Sequence, residues 1–564
     1  MVSFKRNGLA CKLENDYLSL TMSDEGKGTS LVVDGRELMG KLSGAAGDPD
    51  RSHSFYCDYH VAGKTKNLVP TRLEIIEDTP QRVHVAYVDE QSDFKLTYHL
   101  VLVDGERCIY GYVIASCDVD NLVINELRTV YRFDSSIFTT GYTARREGLQ
   151  PRAEYMAEKG ERLQDETYRI PDGCRYSNSD VYSKYDYAGT FAENKIWGQY
   201  SGGRSDDEWG AWFIPLDKSC YPGGPLKQEL LVHYDGIILN YMTGAHFGTG
   251  DFKVPKGWKK LYGPWCVYFN HGEDVIGDAY DFAAKAEARL PLPWLEESGL
   301  YTGNYGSLEG LLKPVSMLSE EERWTIVATD SAGEYFRQKA GRIYWAQSRD
   351  GSFRIDKMQP GIYHLYVHIF GGTDCHEYKL GTYSVRPGEA TDVGELRVEN
   401  AASELIWSLG QYTQTTAPFA FSNQLRNYIW MGLTPKNLEF HMGKDCDADW
   451  YYLQRRGGIW KIVFNKPIKK SKHYLLTVCL AGTTAAAMSP GESSVGFRVR
   501  LNGKTLAEEH FENDRAAYRS SVTGGRPAIL SVEIDADYFD DENELSFMTD
   551  GFVMYDMVKL EVLR

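Results

Sequence analysis

This 564-residue chain has no apolar run approaching the roughly 20 residues that span a bilayer, which excludes a transmembrane helix. Its first residues, MVSFKRNGLACKLENDYLSL, pass quickly into an alternating pattern and lack the apolar core of a signal peptide. Either the chain stays in the cytoplasm or a leader has been removed. Positive charge is short: 62 Lys and Arg face 79 Asp and Glu, for a formal net charge of −17. That balance lacks the basic footprint needed to displace counter-ions from phosphate, and argues against both nucleic acid and a membrane surface as partner. Cysteine occurs ten times, but with no C-x-x-C and no Cys/His spacing suited to zinc, so the thiols read as small buried hydrophobes. Helical periodicity is nearly missing before Asn270.

What is there in excess is aromatic, with 38 Tyr and 12 Trp. Rings in that number suit β-strands and the stacking of flat ligands such as sugars. Single cores stop growing near roughly 250–300 residues, so the length predicts several domains, here three. If the substrate is an anion, the field of a chain at −17 is wrong for steering it, and a local cluster of Arg, Lys and His must supply the attraction.

From Cys11 to Asn270 the pattern is period-two alternation broken by turns. Leu31–Val33, Asp34-Gly35 and Arg36–Leu38 predict a hairpin with a type I′ turn. Arg82–Val88, Phe94–Val103 and Cys108–Ala115 predict a meander with Asp104-Gly105 at one turn. The fold class is therefore all-β, opening with a large antiparallel β-sandwich over residues 1–292. One helix is predicted over Asp274–Leu290, acidic at its start and stopped by Pro291. Residues 293–400 are expected to form a small immunoglobulin-like (fibronectin III-like) β-sandwich of about seven strands, among them Arg323–Thr329, Arg342–Trp345, Ser352–Ile355, Ile362–Ile369 and Gly394–Val398. Residues 401–564 are expected to form a jelly-roll of the carbohydrate-binding kind. Its strands include Trp460–Phe464, Tyr474–Cys479, Gly496–Leu501, Ile529–Ile534 and Val553–Leu563, with a hairpin turn at Asn502-Gly503.

Within Val181–Asn270, Lys184 and His246 stand at the ends of apolar-aromatic segments among glycines. Judged alone, Lys184, flanked by Tyr182, Tyr185, Asp186 and Tyr187, reads as a snorkelling surface lysine, and His246 as a structural histidine. Yet SKYDYAG, GGPLKQELLVHYDG, MTGAHFGTG and LYGPWCVYFN, in that order, resemble the rhamnogalacturonan lyases of polysaccharide lyase family 4. PGIYHLYVH and the later IWSLG, ADWYY, GGIWKIVFN and GFVMYDMVKLEV segments resemble that family's middle and final domains, so the likeness covers most of the chain.

The resemblance implies β-elimination at the bond from rhamnose to O4 of galacturonate in rhamnogalacturonan I, leaving a 4,5-unsaturated uronate. It implies no cofactor, no metal, and an anionic plant cell-wall polysaccharide or its oligosaccharides as the partner; a monomer is expected. Lys184 matches the family's base, and lysine can serve as one when desolvation or neighbouring cations lower its pKa. His246 matches the catalytic histidine, which protonates the leaving oxygen or holds the substrate carboxylate. The small neighbours of His246 would let the substrate approach the backbone.

Arg128 in NELRTVYRFD is the candidate carboxylate clamp, because guanidinium binds carboxylate bidentately. In a strand, Glu126, Arg128 and Arg132 share one face and Leu127, Thr129 and Tyr131 the other, and a salt bridge from Glu126 explains the same residues. Tyr241 is a candidate substrate-binding hydroxyl, while Lys227 and His233 match the family but serve the fold equally well. Asp445, Asp447 and Asp449 alternate like calcium ligands but lack the glycine and distal glutamate of an EF-hand loop, and read as a solvated turn. The HFGTG that follows the alanine departs from the family pattern and keeps open a related rhamnose–uronate glycan, such as rhamnose–glucuronate. A non-catalytic carbohydrate-binding protein is the rival class, and a glycoside hydrolase would need two facing carboxylates that do not stand out.

Overall fold

A computed structural model of the chain describes residues 1–40, 42, 51–203, 207–314, 318–399, 404–417, 419–422, 424, 430–466, 473–485, 493–519 and 523–563. The expected boundary at residues 400 and 401 lies outside them. Contacts divide the chain into two compact units. The first holds Met1–Ala245, Asp251–Asn304 and Gly333–Ile343; the second holds His246–Gly250, Tyr305–Ala332 and Tyr344–Arg564. Both are built from β-strands, and the all-β expectation holds.

The first unit opens with a five-stranded antiparallel meander from Ser3–Asn7 to Arg36–Glu37. Its last turn is the expected one, with Asp34 at φ 47° and Gly35 at φ 81°. A nine-stranded sheet follows, with Trp258–Gly272 between Glu208–Pro215 and Cys108–Cys117, and with the expected meander of Arg82–Asp89, Phe94–Val103 and Cys108–Cys117 on one flank. Opposite it lies a five-stranded antiparallel sheet in the order Val232–His233, Ile237–Thr243, Glu126–Arg132, Tyr56–Val61, Lys64–Asn67. Alternation decides how the two meet. Leu127, Tyr131, Ile238 and Met242 point into a core shared with Tyr98, Phe213 and Trp265 of the larger sheet. Inside it, Trp265 Nε1 donates to the Tyr131 hydroxyl at 2.7 Å and Trp197 Nε1 to the Leu239 carbonyl at 2.9 Å.

The helix Val275–Ala288 closes this unit's long strand run, and the Asp274 side chain caps it by accepting from the Gly277 amide at 2.7 Å. A shorter helix, Ala153–Lys159, escapes the sequence reading: its N-cap residue Arg152 supplies no side-chain bond, and the distant Asp235 carboxylate accepts from the Ala153 amide instead.

In the second unit a three-stranded sheet of Ser352–Met358, Gly306–Pro314 and Ala390–Val398 and a four-stranded sheet of Arg323–Thr329, Gly361–Phe370, Tyr378–Val385 and the strand Ile343–Ser348, all but the first residue of which belongs to this unit, enclose a core that includes Trp324, Phe353 and Tyr363. Farther along, Phe552–Val562 and His473–Thr484 centre one five-stranded sheet, and Glu542–Thr549 centres another. The stacked rings of Trp460 and Tyr555, 5.7 Å apart, join the two faces. Asp445, Asp447 and Asp449 lie in a turn in which Asp445 accepts from the His441 amide and Asp449 from the Cys446 amide, so two of these carboxylates serve local backbone. Among the described residues, no helix is long and apolar enough to cross a membrane.

Candidate active site

The face of the five-stranded sheet turned away from the core carries Tyr56, Arg128, Val130, Arg132, Ile237, Leu239 and Tyr241 around a cavity of about 130 Å³. The strand Glu126–Arg132 places Arg128 and Arg132 there because alternation has already committed Leu127, Thr129 and Tyr131 to the other side. Arg128 is bound bidentately, Nε to Asp58 Oδ1 at 2.7 Å and Nη2 to Oδ2 at 3.0 Å, and its Nη1 donates to the Tyr241 hydroxyl at 3.0 Å. Glu126 is a weaker neighbour at 3.9 Å. Burial disfavours this guanidinium, but the Asp58 carboxylate outweighs it and holds the pKa above arginine's ordinary range. Arg132 Nε and Nη2 both donate to the Tyr56 hydroxyl at 3.2 Å; burial pushes that phenol up to about 12 against the pull of Arg132.

The opposite wall comes from a small three-stranded sheet, Glu161–Gln164, Thr167–Arg169 and Val181–Ser183. Its register pairs Thr167 with Ser183, so the flanking residues Glu166 and Lys184 fall side by side. Lys184 opens a 3-10 turn, Lys184–Tyr187, whose start is fixed by Ser183 and Asp186 in a capping box. Its Nζ lies 2.5 Å from Glu166 Oε2 and 3.4 Å from Asp165 Oδ2. Glu166 is also reached by His233 Nε2 at 3.1 Å and by the Tyr234 hydroxyl at 2.8 Å.

The pKa of Lys184 runs opposite to the sequence expectation. Burial lowers it, but Glu166, with Tyr185 and Asp165, outweighs burial and holds the ammonium well above lysine's ordinary range. The converse holds for Glu166, which burial pushes up and which Lys184 and His233 hold well below the carboxylate range. The physical reason is a carboxylate delivered by a hairpin turn, which no pattern around SKYDYAG announces.

Lys184, Arg128 and Tyr241 thus line one cavity, joined by His233 and by three residues the sequence did not single out: Glu166, Tyr234 and Tyr56. Lys227 pairs with Glu229 at 3.3 Å, both buried, and burial lowers its pKa against that partner. His246 is buried within His246–Gly250, a stretch that groups with the second unit. The small residues around it are not open space. A Cβ on Gly244 would lie 2.3 Å from Glu229 Oε1, and one on Gly248, at φ 91°, 2.5 Å from the Arg526 amide nitrogen, so packing accounts for both glycines.

Residues 405–560 match the family model described as carbohydrate-binding-like, polysaccharide lyase family 4, domain III. Residues 138–227, which include Glu166 and Lys184, match the probable rhamnogalacturonate lyase B middle domain. An all-β chain with these matches and a cation-lined polar cavity is a polysaccharide lyase. Among curated relatives, the rhamnogalacturonate lyase of Dickeya dadantii (strain 3937) is 35% identical over 99% of this chain and 94% of its own length. The probable rhamnogalacturonate lyase B of Aspergillus flavus is 26% identical over 72% of this chain and 65% of its own length, and the rhamnogalacturonate lyase B of Emericella nidulans 27% identical over 73% and 66%. The chain belongs to the rhamnogalacturonate lyases of polysaccharide lyase family 4.

Proposed function

We propose that the chain acts on rhamnogalacturonan I, cleaving the bond from rhamnose to O4 of galacturonate by β-elimination and leaving a 4,5-unsaturated uronate. The observation that carries this reading is the convergence of Lys184, Arg128, Arg132 and Tyr241 on one cavity in a chain of this family. The C5 proton of a uronate is acidic only through the adjacent carboxylate. A site for elimination must therefore neutralise that carboxylate and stabilise the enolate-like charge that develops. Arg132 and the Nη1 edge of Arg128 supply positive charge on one wall, and Tyr241 a hydroxyl beside them. Lys184 faces them from the other wall as the base, working through its neutral fraction.

Incubation with debranched rhamnogalacturonan I is expected to raise the ultraviolet absorbance of a new C4=C5 double bond. Lys184→Ala is expected to lower that rate by about 10²–10⁴-fold, the usual contribution of a positioned general base. An undiminished rate in the variant removes Lys184 from the mechanism, and products without the double bond remove the elimination itself.

A further inference from the structure

We propose that Glu166 is a positioning residue for the elimination: its carboxylate is the counter-ion that holds the Lys184 ammonium in the cavity. The proposal rests on the reading of Lys184 as the base. Glu166 is placed for this by backbone as well as charge. It occupies the turn between Glu161–Gln164 and Thr167–Arg169 with φ 42°, a left-handed conformation that few non-glycine residues adopt. Its carbonyl also accepts from the Lys184 amide at 3.2 Å, so main chain and side chain both tie the two residues.

The groups that face Lys184 come from five directions. Tyr185 on its own turn presents a ring centroid 5.1 Å from Nζ. The Asp165-Glu166 turn presents two carboxylates, at 3.4 and 2.5 Å. Val232–His233 and the next residue bring His233 and Tyr234, both bonded to Glu166. Ile237–Thr243 brings Tyr241. Glu126–Arg132 brings Arg128, whose charge is paired with Asp58, and Arg132. The nearest unit charges are thus negative, and a carboxylate in contact stabilises an ammonium. The direction of the Lys184 pKa agrees.

The other two donors explain how the lysine can be released. When Lys184 gives up its proton, His233 and the Tyr234 hydroxyl remain on Glu166, so the carboxylate is not left bare in a buried site. In the elimination the C5–H pair of electrons forms the C4=C5 bond, the C4–O4 bond breaks with its electron pair leaving on O4, and the proton passes to Lys184. Glu166 then stabilises the ammonium so formed. It therefore costs neutral lysine at low pH and strengthens the base once neutral, two effects with opposite signs.

Those signs give the test. In the wild type, log kcat/KM is expected to climb with pH. Glu166→Gln is expected to level off about one to three pH units lower, the range over which one contacting charge moves a pKa. The plateau of the variant is expected below the wild-type rate at high pH, and Glu166→Asp, which keeps the charge, is expected to return the limb toward the wild-type position. A limb unmoved in Glu166→Gln, or moved to higher pH, overturns the proposal. If Lys184→Ala is inactive and the limb has not moved, only the counter-ion role falls; if Lys184→Ala keeps its rate, the assignment of the base falls with it. Should Glu166→Gln fail to fold, the wild type serves: acylation of Lys184 followed by peptide mass mapping is expected to reach half-rate above lysine's ordinary range, and half-rate below that range overturns the proposal.

Discussion

Arg128 shows what a single residue in this cavity must satisfy before it meets a ligand. Two of its guanidinium nitrogens are spent on Asp58, whose side chain is only 1% exposed, and the remaining nitrogen faces Tyr241. Arg128→Gln strands that carboxylate, and breaking a buried pair on one side costs about 3–5 kcal/mol. The double variant Arg128→Gln/Asp58→Asn removes both charges and is expected to recover most of the loss in denaturant unfolding, while KM for the polysaccharide stays raised in both. A single variant less than about 1 kcal/mol below wild type would show that Asp58 does not depend on the arginine. Alternation made the side of the strand legible: Arg128 and Arg132 on one face, Leu127 and Tyr131 on the other. The partner was not, because Asp58 arrives from the neighbouring strand, paired with Arg128 but seventy residues away in sequence. The same holds for Lys184, which could be singled out by resemblance while the sign of its pKa depended on Glu166 across a hairpin.

Strands and turns were legible to the extent that their causes are local. Asp104-Gly105 is a turn because the dipeptide tolerates positive φ, and Gly105 adopts φ 74° with nothing within 4 Å of where a Cβ would stand. Gly198 is a different kind of glycine. Inside Trp197–Tyr200 it pairs with Trp212, and a Cβ there would lie 2.1 Å from the Ala211 carbonyl oxygen and 2.8 Å from the Trp212 ring. Gly105→Ala is therefore expected to cost about 1 kcal/mol, through backbone conformation alone. Gly198→Ala must push apart two strands of the nine-stranded sheet and is expected to cost about 3 kcal/mol, as overpacking does. Thermal midpoints of the two variants compare them directly, and equal losses would refute the distinction. Nothing in IWGQY separates Gly198 from a replaceable strand glycine, since the obstacle is the backbone of another strand. The helices divide the same way. Val275–Ala288 could be read from its own acidic start and the Pro291 beyond its end, whereas Ala153–Lys159 depends on Asp235, eighty-two residues on.

At the scale of the molecule, residues Gly333–Ile343 belong to the first unit although the sequence on both sides belongs to the second. No period or motif in GEYFRQKAGRI forecasts this, because the segment is held by distant partners. Its carbonyl at Lys339 accepts from Lys260 Nζ at 2.9 Å, Arg342 reaches Asp217 at 3.2 Å, and the Ile343 amide donates to the Ser219 carbonyl at 2.9 Å. The segment carries Lys339 into a buried place where Nζ donates to the Gly244 carbonyl at 3.1 Å. Burial, reinforced by the charge of Lys227, lowers this lysine to about 7. The folded pKa lies below the unfolded value of 10.5, so between about pH 7 and 10.5 the unfolded chain binds a proton that the folded chain does not. Stability from this group therefore rises with pH across that window, and its penalty is complete below about pH 7. At about 1.4 kcal/mol per pH unit, the window carries at most about 5 kcal/mol. Lys339→Met removes the titration together with a hydrogen bond worth about 1 kcal/mol, and the loss of that bond is a constant offset. Denaturant unfolding of both proteins from pH 7 to 9.5 is expected to show the wild type gaining on the variant as pH rises. Parallel curves would mean that Lys339 keeps an ordinary pKa in the folded chain, and that its burial is offset by partners other than the Gly244 carbonyl.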